Sequence, residues 1–308
     1  MFSWKEGAII NIMLKFSIII PNWDGKKLLE KNFLKVLTSV GKDTEIIVVD
    51  NGSTDGSLDY LQEMVLKNPP LRIVRFNQNY GFAYACNEGV KKTRGDIVVL
   101  LNNDVIPTKG FLRPLVNDFS DPSVFAVSFN EPQFSWAKGI FENGFLKHVP
   151  GPKSKKTHSS FWASGGSAAF RKRIWQELGG FDPLYYPFYW EDIDLCYRAW
   201  KRGYQILWEP RSIVHHQHQS TVSRFSKGYI DIIKQRNELF FIWKNMTSKK
   251  LINEHRKFLV KRLVKNPGYL KVILAALLNI ARVFSRRLQE KNETKLSDED
   301  IFTLFAGE

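Results

Sequence analysis

The feature that most constrains the fold of this sequence is a regular alternation of two kinds of segment between residues 16 and 101. Four short runs are largely apolar and rich in β-branched residues, namely FSIIIP (16–21), EIIVVD (45–50), LRIVRF (71–76) and DIVVLL (96–101). Between them, residues 26–39, 56–67 and 81–93 have apolar side chains at helical spacing. Continuous apolar runs are typical of parallel strands that are covered on both faces. The alternation therefore predicts an α/β fold with a mostly parallel sheet and a ligand at the carboxyl ends of its strands.

Charge and cysteine content limit the kinds of binding partner and the cellular compartment that are expected for this chain. The formal net charge is +14, which indicates an anionic partner; nucleic acid, an anionic membrane and a phosphorylated substrate all fit. Cys86 and Cys196 are the two cysteines of the sequence, which excludes a disulfide framework and favours a reducing, intracellular compartment. The loop after the first strand, PNWDG, lacks the glycine patterns of dinucleotide-binding proteins and of Walker A ATPases. Both of those classes are therefore disfavoured.

Polar residues follow the predicted strands at the edge where a ligand would bind. Asp50 ends the second strand and can hydrogen-bond the base or ribose of a nucleotide, although the residues after it also suit a plain strand-to-helix turn. Gly81 begins the third helical segment, where free N–H groups can bind phosphate oxygens. Asp104 follows the fourth strand, and a carboxylate there suits Mg²⁺ or Mn²⁺ bridging two phosphates.

Acidic and histidine clusters mark the later part of the chain. Glu191, Asp192 and Asp194 lie within four positions, and neighbouring carboxyl groups raise one another's pKa, which favours a general base. The same acids also suit a helix amino terminus, and the two roles are compatible. Three of the six histidines fall within residues 215–218. This second cluster predicts a metal ligand, although its spacing matches no zinc pattern.

Six segments, in this order and spacing, resemble the family 2 glycosyltransferases. They are FSIIIPNWDG, EIIVVDNGSTDGS, NYGFAYACNEG, DIVVLLNND, GGFD followed by YWEDIDLCYRAWKRGY, and HHQHQST. The resemblance covers about residues 16–245 and points to rhamnosyltransferase-like bacterial members. It implies the GT-A fold, a mostly parallel sheet flanked by helices. For the nucleotide, it implies that Asp50 contacts the base and that Pro21, Asn22, Asn79 and Gly81 lie along the donor.

The resemblance also implies a divalent metal, Mn²⁺ or Mg²⁺. Asp104 matches the last acid of the D-x-D metal motif, which reads Asn102-Asn103-Asp104 in this sequence. Asparagine in place of the first acid weakens the metal site or gives a larger share of it to His215. His215 matches a metal-contacting histidine of related enzymes, and His216 is the second choice.

The remaining site residues follow from the same resemblance. Asp192 matches the catalytic base, with Glu191 in support, and Trp190 and Asp194 are expected to contact the sugar or the acceptor. The implied reaction is a single, inverting displacement in which an acceptor hydroxyl attacks the sugar of a nucleotide-diphosphate donor. dTDP-rhamnose is the first choice of donor, with UDP- and GDP-sugars open. The implied acceptor is a saccharide or a lipid-linked saccharide, in the assembly of an envelope polysaccharide or glycolipid.

The resemblance and the composition together predict three parts: an extension (1–13), the domain that the resemblance implies to be GT-A (14–245) and a basic helical C-terminal region with an acidic tail (246–308). Residues 272–281 are apolar and flanked by cations, but are shorter than the ~20 residues of a membrane span. They predict an interfacial helix on an anionic membrane, or else a helix that packs on the catalytic domain or on a second subunit. The tail, residues 290–308, is expected to be loosely ordered. With no signal-peptide pattern, the predicted location is cytoplasmic, at the inner face of the cytoplasmic membrane.

Other functions are less favoured. A nucleic-acid-binding protein would explain the charge, but no recognisable nucleic-acid-binding motif is present, so no nucleic-acid partner is expected. A non-catalytic nucleotide-sugar-binding protein is kept open by Asn102 and opposed by Glu191 and Asp192. A sugar nucleotidyltransferase would need a glycine-rich loop after the first strand, which is absent. Oligomerisation stays open.

Overall fold

The computed structural model describes residues 14–42, 44–68, 70–217 and 225–306. The predicted extension, residues 1–13, and His218 lie outside these ranges. The first half of the described chain contains the predicted alternation: β1 (Phe16–Asn22), α1 (Lys26–Ser39), β2 (Glu45–Asp50), α2 (Ser57–Lys67), β3 (Leu71–Arg75), α3 (Phe82–Lys92) and β4 (Ile97–Leu101). β1 pairs in parallel with β2 and β4, and β2 pairs in parallel with β3. The predicted parallel α/β unit is confirmed.

The second half extends the sheet with strands of both directions. It contains β5 (Val105–Pro107), α4 (Arg113–Asp118), β6 (Val124–Asn130), β7 (Ala137–Glu142), β8 (Phe145–Pro150), β9 (His158–Ser159), β10 (Ser167–Arg171), α5 (Lys172–Glu177), α6 (Glu191–Lys201) and β11 (Gln205–His216). Within the described ranges, the strand order is β3-β2-β1-β4-β10-β6-β11-β5, with β9 also paired to β11. β10 is antiparallel to both of its neighbours, so the sheet is mixed. β7 and β8 form a separate hairpin.

The C-terminal region is helical, as predicted. It follows α7 (Lys227–Asn245) and contains α8 (Lys249–Lys265), α9 (Leu270–Leu277), α10 (Ile280–Asn292) and α11 (Asp298–Thr303). The proposed boundary at residue 245 coincides with the end of α7, but the helices beyond it do not form a separate core. Val283 and Ile301 belong to the same buried cluster as Phe161 and Trp200 of the preceding α/β region. The whole region therefore packs on one side of the sheet.

The prediction of a loosely ordered tail is wrong, because α11 is docked on the core. Asp298 is fully buried and accepts hydrogen bonds from the hydroxyl of Tyr197 at 2.5 Å and from the backbone N–H of Thr247 at 2.6 Å. Ser297 and Asp300 form a capping box that stabilises the start of α11. The acidic residues of this tail therefore cap helices or form ion pairs. Composition alone cannot distinguish such residues from acids that are simply exposed to solvent.

Among the described helices, none is both long enough and apolar enough to cross a bilayer by itself. One pair, Pro267–Leu277 and Ile280–Asn292, meets the length and composition of a span only when its two helices are taken together, and they meet at an angle of 67°.

Candidate active site

A cleft of about 730 Å³ opens at the carboxyl ends of β1, β2 and β4. The predicted residues on its wall are Pro21, Asn22, Asn79, Gly81, Asp104, Trp190, Glu191 and Asp192. Asp50, His215 and Asp194 were also predicted to belong to the site, but they are not among the lining residues. The parallel strands bring the first group together, since their carboxyl ends meet at one edge of the sheet.

The end of the cleft beside β1 and β2 rests on a set of buried amides. The strand register places Asn22 opposite Asp50, and both are almost completely buried. The side-chain amide of Asn22 donates to the hydroxyl of Ser53 at 3.2 Å and lies 3.5 Å from a carboxylate oxygen of Asp50. Asn103 donates in turn to the side-chain oxygen of Asn22 at 2.8 Å. Asp50 therefore stands behind the cleft wall and orients Asn22, which faces the cavity.

Asn51, which the sequence analysis did not select, holds the next part of the wall. Its amide donates to the side chain of Asn79 at 2.8 Å, and its side-chain oxygen accepts from the backbone N–H of Tyr80 at 3.0 Å. This pairing fixes the turn before α3. Gly81 in that turn has φ +88°, and a Cβ there would lie 2.7 Å from the ring of Tyr186. The glycine thus permits a left-handed backbone and a close approach that other residues would obstruct.

Asp104 presents an unusual carboxylate at the floor of the cleft. It is 2% exposed, and its Oδ1 lies 3.1 Å from Nε2 of His216. Its Oδ2 is buried and has no hydrogen-bond partner within the described part of the chain. The other ring nitrogen of His216 lies 3.1 Å from Glu131, another residue that the sequence analysis did not select. Burial opposes the charge of His216, but the hydrogen bonds to the two carboxylates outweigh it and raise its pKa to about 9.

His215 was predicted to share the metal with Asp104, and the structure corrects this. Successive residues of a strand point to opposite faces, so His215 and His216 at the end of β11 cannot both reach the cleft. His215 is exposed to solvent, whereas His216 lines the cavity beside Asp104. The local sequence could not choose between the two adjacent histidines, because the choice depends on how β11 meets β5.

The fit of these residues to a divalent metal rests on Asp104. Over the described ranges, no group of three or more His, Cys, Asp or Glu side chains is arranged to hold a metal ion. Mg²⁺ and its relatives in nucleotide sites are commonly held by one or two carboxylates, with phosphate oxygens and water completing the shell. The buried, unpartnered Oδ2 of Asp104 fits such a site, with Asn102 also on the cleft wall. The residues therefore suit a metal that arrives with a diphosphate.

The opposite wall carries two acids at the start of α6. Asp192 is partly buried and accepts from the backbone N–H of Gly165 at 3.0 Å. Burial raises the pKa of Asp192, and hydrogen bonds from Gly165 and Ile193 offset part of that rise. Glu191 is 6% exposed, and its Oε2 has no partner in the described ranges. Its pKa is raised well above the usual value by burial and by the neighbouring charge of Asp192. A carboxylate with a raised pKa is a stronger proton acceptor.

Asp194 does not belong to the cleft, and its predicted contact with sugar or acceptor is corrected here. It is fully buried and accepts from Tyr185 at 2.7 Å, Arg198 at 2.8 Å, Lys244 at 2.9 Å and Asn245 at 2.8 Å. Burial opposes its charge, but the two cations and the hydrogen bonds hold its pKa well below the usual range. Asp194 points inward because it lies on the buried face of α6, and there it joins α6 to α7.

The segment between residues 185 and 190 forms the cleft wall in front of α6. Trp190 begins the helix with φ +79°, lines the cleft and packs on Phe241 at 5.3 Å between ring centroids. Asn237 of α7 is fully buried and donates to the carbonyls of Tyr185, Phe188 and Tyr189 at 3.1, 3.0 and 2.9 Å. The sequence analysis did not select Asn237, because a single asparagine in a helical pattern carries no local signal.

Fold and cleft together define a mixed α/β protein with an acid-lined cleft at the carboxyl ends of its strands, and comparison with known proteins identifies the family. The sequence profile of Glycosyl transferase family 2 matches residues 17–179, more than half of the chain, so the chain belongs to this family. Solved structures that it resembles include GalNAc-T7 with UDP, GalNAc and Mn²⁺, at TM-score 0.63 and 17% identity over 84% of this chain and 57% of that one. Another is the mannosyltransferase PcManGT from Pyrobaculum calidifontis with GDP-Man and Mn²⁺, at TM-score 0.58 and 17% identity over 90% and 84%. These likenesses confirm the GT-A fold.

The sequence relatives match this chain over only part of their own length. The N-acetylglucosaminyl-diphospho-decaprenol L-rhamnosyltransferase of Mycobacterium tuberculosis is 24% identical over 232 residues, which are 63% of this chain and 73% of that protein. Uncharacterized protein y4gI of Sinorhizobium fredii is 26% identical over 71% of this chain and 26% of its own length. Uncharacterized glycosyltransferase YfnE of Bacillus subtilis is 35% identical over 31% of this chain and 24% of its own length. The chain thus spans about a quarter of those two relatives.

Proposed function

We propose that the chain is an inverting, metal-dependent glycosyltransferase that moves a sugar from a nucleotide-diphosphate donor to an acceptor hydroxyl. The observation that carries the proposal is the presence in one cleft of two buried carboxylate oxygens, Asp104 Oδ2 and Glu191 Oε2, that have no hydrogen-bond partner among the described residues. A buried carboxylate oxygen without a partner is costly, so its place in a cavity suggests a ligand or a reaction that uses it. Asp192 follows Glu191 in the chain and lines the same cavity.

The donor half of the cleft has the chemistry that a nucleoside diphosphate needs. Pro21 and Asn22 would contact the nucleoside, with Asp50 holding Asn22 from behind. Asn79 and Gly81 would place the diphosphate near the first turn of α3, whose N–H groups favour anions. Mn²⁺ or Mg²⁺, when bound to Asp104 and the diphosphate, would supply positive charge that stabilises the leaving group.

The acceptor half of the cleft supports base catalysis by Asp192. Its raised pKa and its position on the cavity wall suit removal of the proton from an acceptor hydroxyl as that oxygen attacks the anomeric carbon. One displacement of this kind inverts the configuration at the anomeric carbon. Glu191 and Asp192 are neighbouring buried carboxyl groups, and this proximity increases the proton affinity of the two together. The indole of Trp190 would pack against a sugar ring.

The donor and acceptor classes belong to the same proposal. A relative named as an L-rhamnosyltransferase supports dTDP-rhamnose as the first donor to test, and the UDP and GDP-Man complexes of the two similar structures support UDP- and GDP-sugars as the next. The acceptor is proposed to be a saccharide or lipid-linked saccharide used in envelope polysaccharide or glycolipid assembly. The place of action is proposed to be the inner face of the cytoplasmic membrane.

Calorimetry against dTDP-, UDP- and GDP-sugars, with and without Mn²⁺, tests the donor site. Asp104→Asn removes the proposed metal ligand, and Asp118→Asn is its matched control, because Asp118 also has a buried, unpartnered carboxylate oxygen in the described ranges but lies outside the cleft. One donor should bind in a Mn²⁺-dependent way to the wild type and to Asp118→Asn, and at least tenfold more weakly to Asp104→Asn. Absence of binding by every donor would refute the proposed site. Binding without transfer to any acceptor would instead indicate a nucleotide-sugar-binding protein.

A further inference from the structure

The helices α9 and α10 present a large apolar face to solvent. This outer apolar face consists of Leu270, Leu274, Leu277, Leu278, Phe284 and Leu288, and their side chains are between 46% and 87% exposed. Leu270, Leu274 and Leu277 of α9 and Leu278 directly after it recur at helical spacing, so they share one side of the helix. Exposed apolar side chains are ordinary when scattered, but a contiguous group of this kind marks an interaction surface.

The fold does not need this face for its own core. The opposite sides of the two helices already pack inward through Val272, Ala276 and Val283, each of which is at most 4% exposed. α9 and α10 both contact α7, which connects them to the catalytic region. The sequence alternatives were an interfacial helix or a helix packed on the protein. In the structure, one side of α9 and α10 packs on the protein. A second apolar side of the two helices is not covered by any described part of the chain.

The charge around the face identifies its partner. Between Glu254 and Glu290 the sequence contains no acidic residue and nine cations: Arg256, Lys257, Lys261, Arg262, Lys265, Lys271, Arg282, Arg286 and Arg287. Lys271 precedes Leu274 and Leu278 by three and seven positions, so it lies on their stripe of α9, and Arg282 is exposed near the start of α10. Lys271 and Arg282, both exposed beside these apolar side chains, suit a surface that is apolar inside and anionic outside.

We infer that the outer apolar face docks on the surface of an anionic lipid bilayer. The leucines and Phe284 enter the boundary between headgroups and acyl chains, while Lys271 and Arg282 meet the headgroup phosphates. α9 and α10 meet at 67°, and their inner sides are packed in the protein core through Val272, Ala276 and Val283, so the pair would lie against the bilayer. A second copy of the chain is a poorer occupant, because two such faces would bring like charges together. A nucleic acid would leave the leucines without an apolar partner.

Co-sedimentation of the full chain with vesicles tests the inference and needs no donor, so the result does not depend on the proposed glycosyl transfer. Vesicles of phosphatidylcholine alone are compared with vesicles that also contain phosphatidylglycerol. The chain should bind the anionic vesicles, and raising the salt concentration should weaken binding by screening the cations. No binding to anionic vesicles, or equal binding to both kinds, would refute the inference.

Paired variants locate the contact. Leu278→Glu should weaken binding to anionic vesicles by roughly tenfold or more, because it replaces an apolar side chain that enters the membrane with a charge. Leu66→Glu on α2 is the matched control, since Leu66 is 86% exposed and Leu278 is 87% exposed. Lys271→Glu and Lys35→Glu form a second pair, both on exposed helical surface. Equal binding by both members of each pair would refute the assignment of this face, and a dimer that Leu278→Glu dissociates would show that a second copy is the occupant.

Discussion

Asn237 of α7 gives the sharpest test of how the catalytic wall is held in place. Its side-chain amide donates to three carbonyls in the segment before α6, those of Tyr185, Phe188 and Tyr189. In the same segment Tyr189 and Trp190 have φ +73° and +79°, in the left-handed region that costs roughly 1 kcal/mol or more per residue. The segment therefore keeps an unfavourable backbone because α7 binds its carbonyls.

The expected effect of Asn237→Ala follows from these contacts. Each buried hydrogen bond contributes about 1 kcal/mol, and the two N–H bonds of the Asn237 amide are shared among the three carbonyls, so their loss lowers the free energy of unfolding by about 2 kcal/mol. Relaxation of the segment also displaces the start of α6, where Glu191 and Asp192 stand. A displacement of about 1 Å at a catalytic group lowers turnover by about 100-fold. Stability and turnover are therefore expected to fall together, while donor binding at the far wall changes less.

Urea unfolding followed by tryptophan fluorescence measures the first effect, and transfer kinetics with the donor found by calorimetry measure the second. Asn253→Ala is the matched control, because Asn253 is an exposed asparagine on α8 and its removal should change the free energy of unfolding by less than about 0.5 kcal/mol. If Asn237→Ala unfolds within that same margin of the wild type and turns over normally, the three hydrogen bonds do not position the wall and the reasoning fails.

Three further predictions concern single residues. Asp192→Asn should lower turnover by about 10²- to 10⁴-fold with little change in donor affinity, because asparagine has nearly the same shape as aspartate but cannot act as the base. Product formation measures the turnover, and calorimetry measures the donor affinity. Gly81→Ala should lower the free energy of unfolding by about 2 kcal/mol in urea melts and weaken donor binding, since its φ is +88° and the new Cβ would meet Tyr186. Burial and the charge of Glu209 raise the pKa of Asp118 to about 7, so the folded state loses stability as the pH rises from about 4 to 7. Asp118→Asn should therefore be more stable than the wild type by about 4 kcal/mol at pH 8 and not at pH 4, and an equal difference at both pH values would contradict that pKa.

Local pattern predicted the parallel half of the fold closely. The predicted helix at 26–39 is α1 without change, and the four predicted strands are β1 to β4 within one or two residues at their ends. This accuracy has a physical reason: strands buried on both faces are apolar at every position, and their helices are amphipathic, so neighbouring residues carry the signal. The polar residues at the strand ends were predicted to meet for the same reason, because parallel strands align their carboxyl ends.

Contacts between residues that are distant in sequence account for the differences between the predicted and the observed site. His216 rather than His215 faces Asp104, because the pairing of β11 with β5 sets which side of the strand meets the cleft. Asp194 is drawn inward by Lys244 on α7, fifty residues further along the chain. The tail is ordered because Asp298 binds Tyr197. None of these partners is near its counterpart in sequence, so periodicity and composition contain no information about them.

The sequence by itself therefore determined the α/β architecture, the glycosyltransferase motifs and the edge of the sheet where they gather, since these depend on local patterns of apolar and polar residues. Only the tertiary structure decided which side chains reach the cleft, which acids are structural, and which side of α9 stays exposed. Those outcomes depend on the direction in which a side chain points and on which distant element packs against it, and a helix or strand pattern allows more than one answer until the elements are assembled.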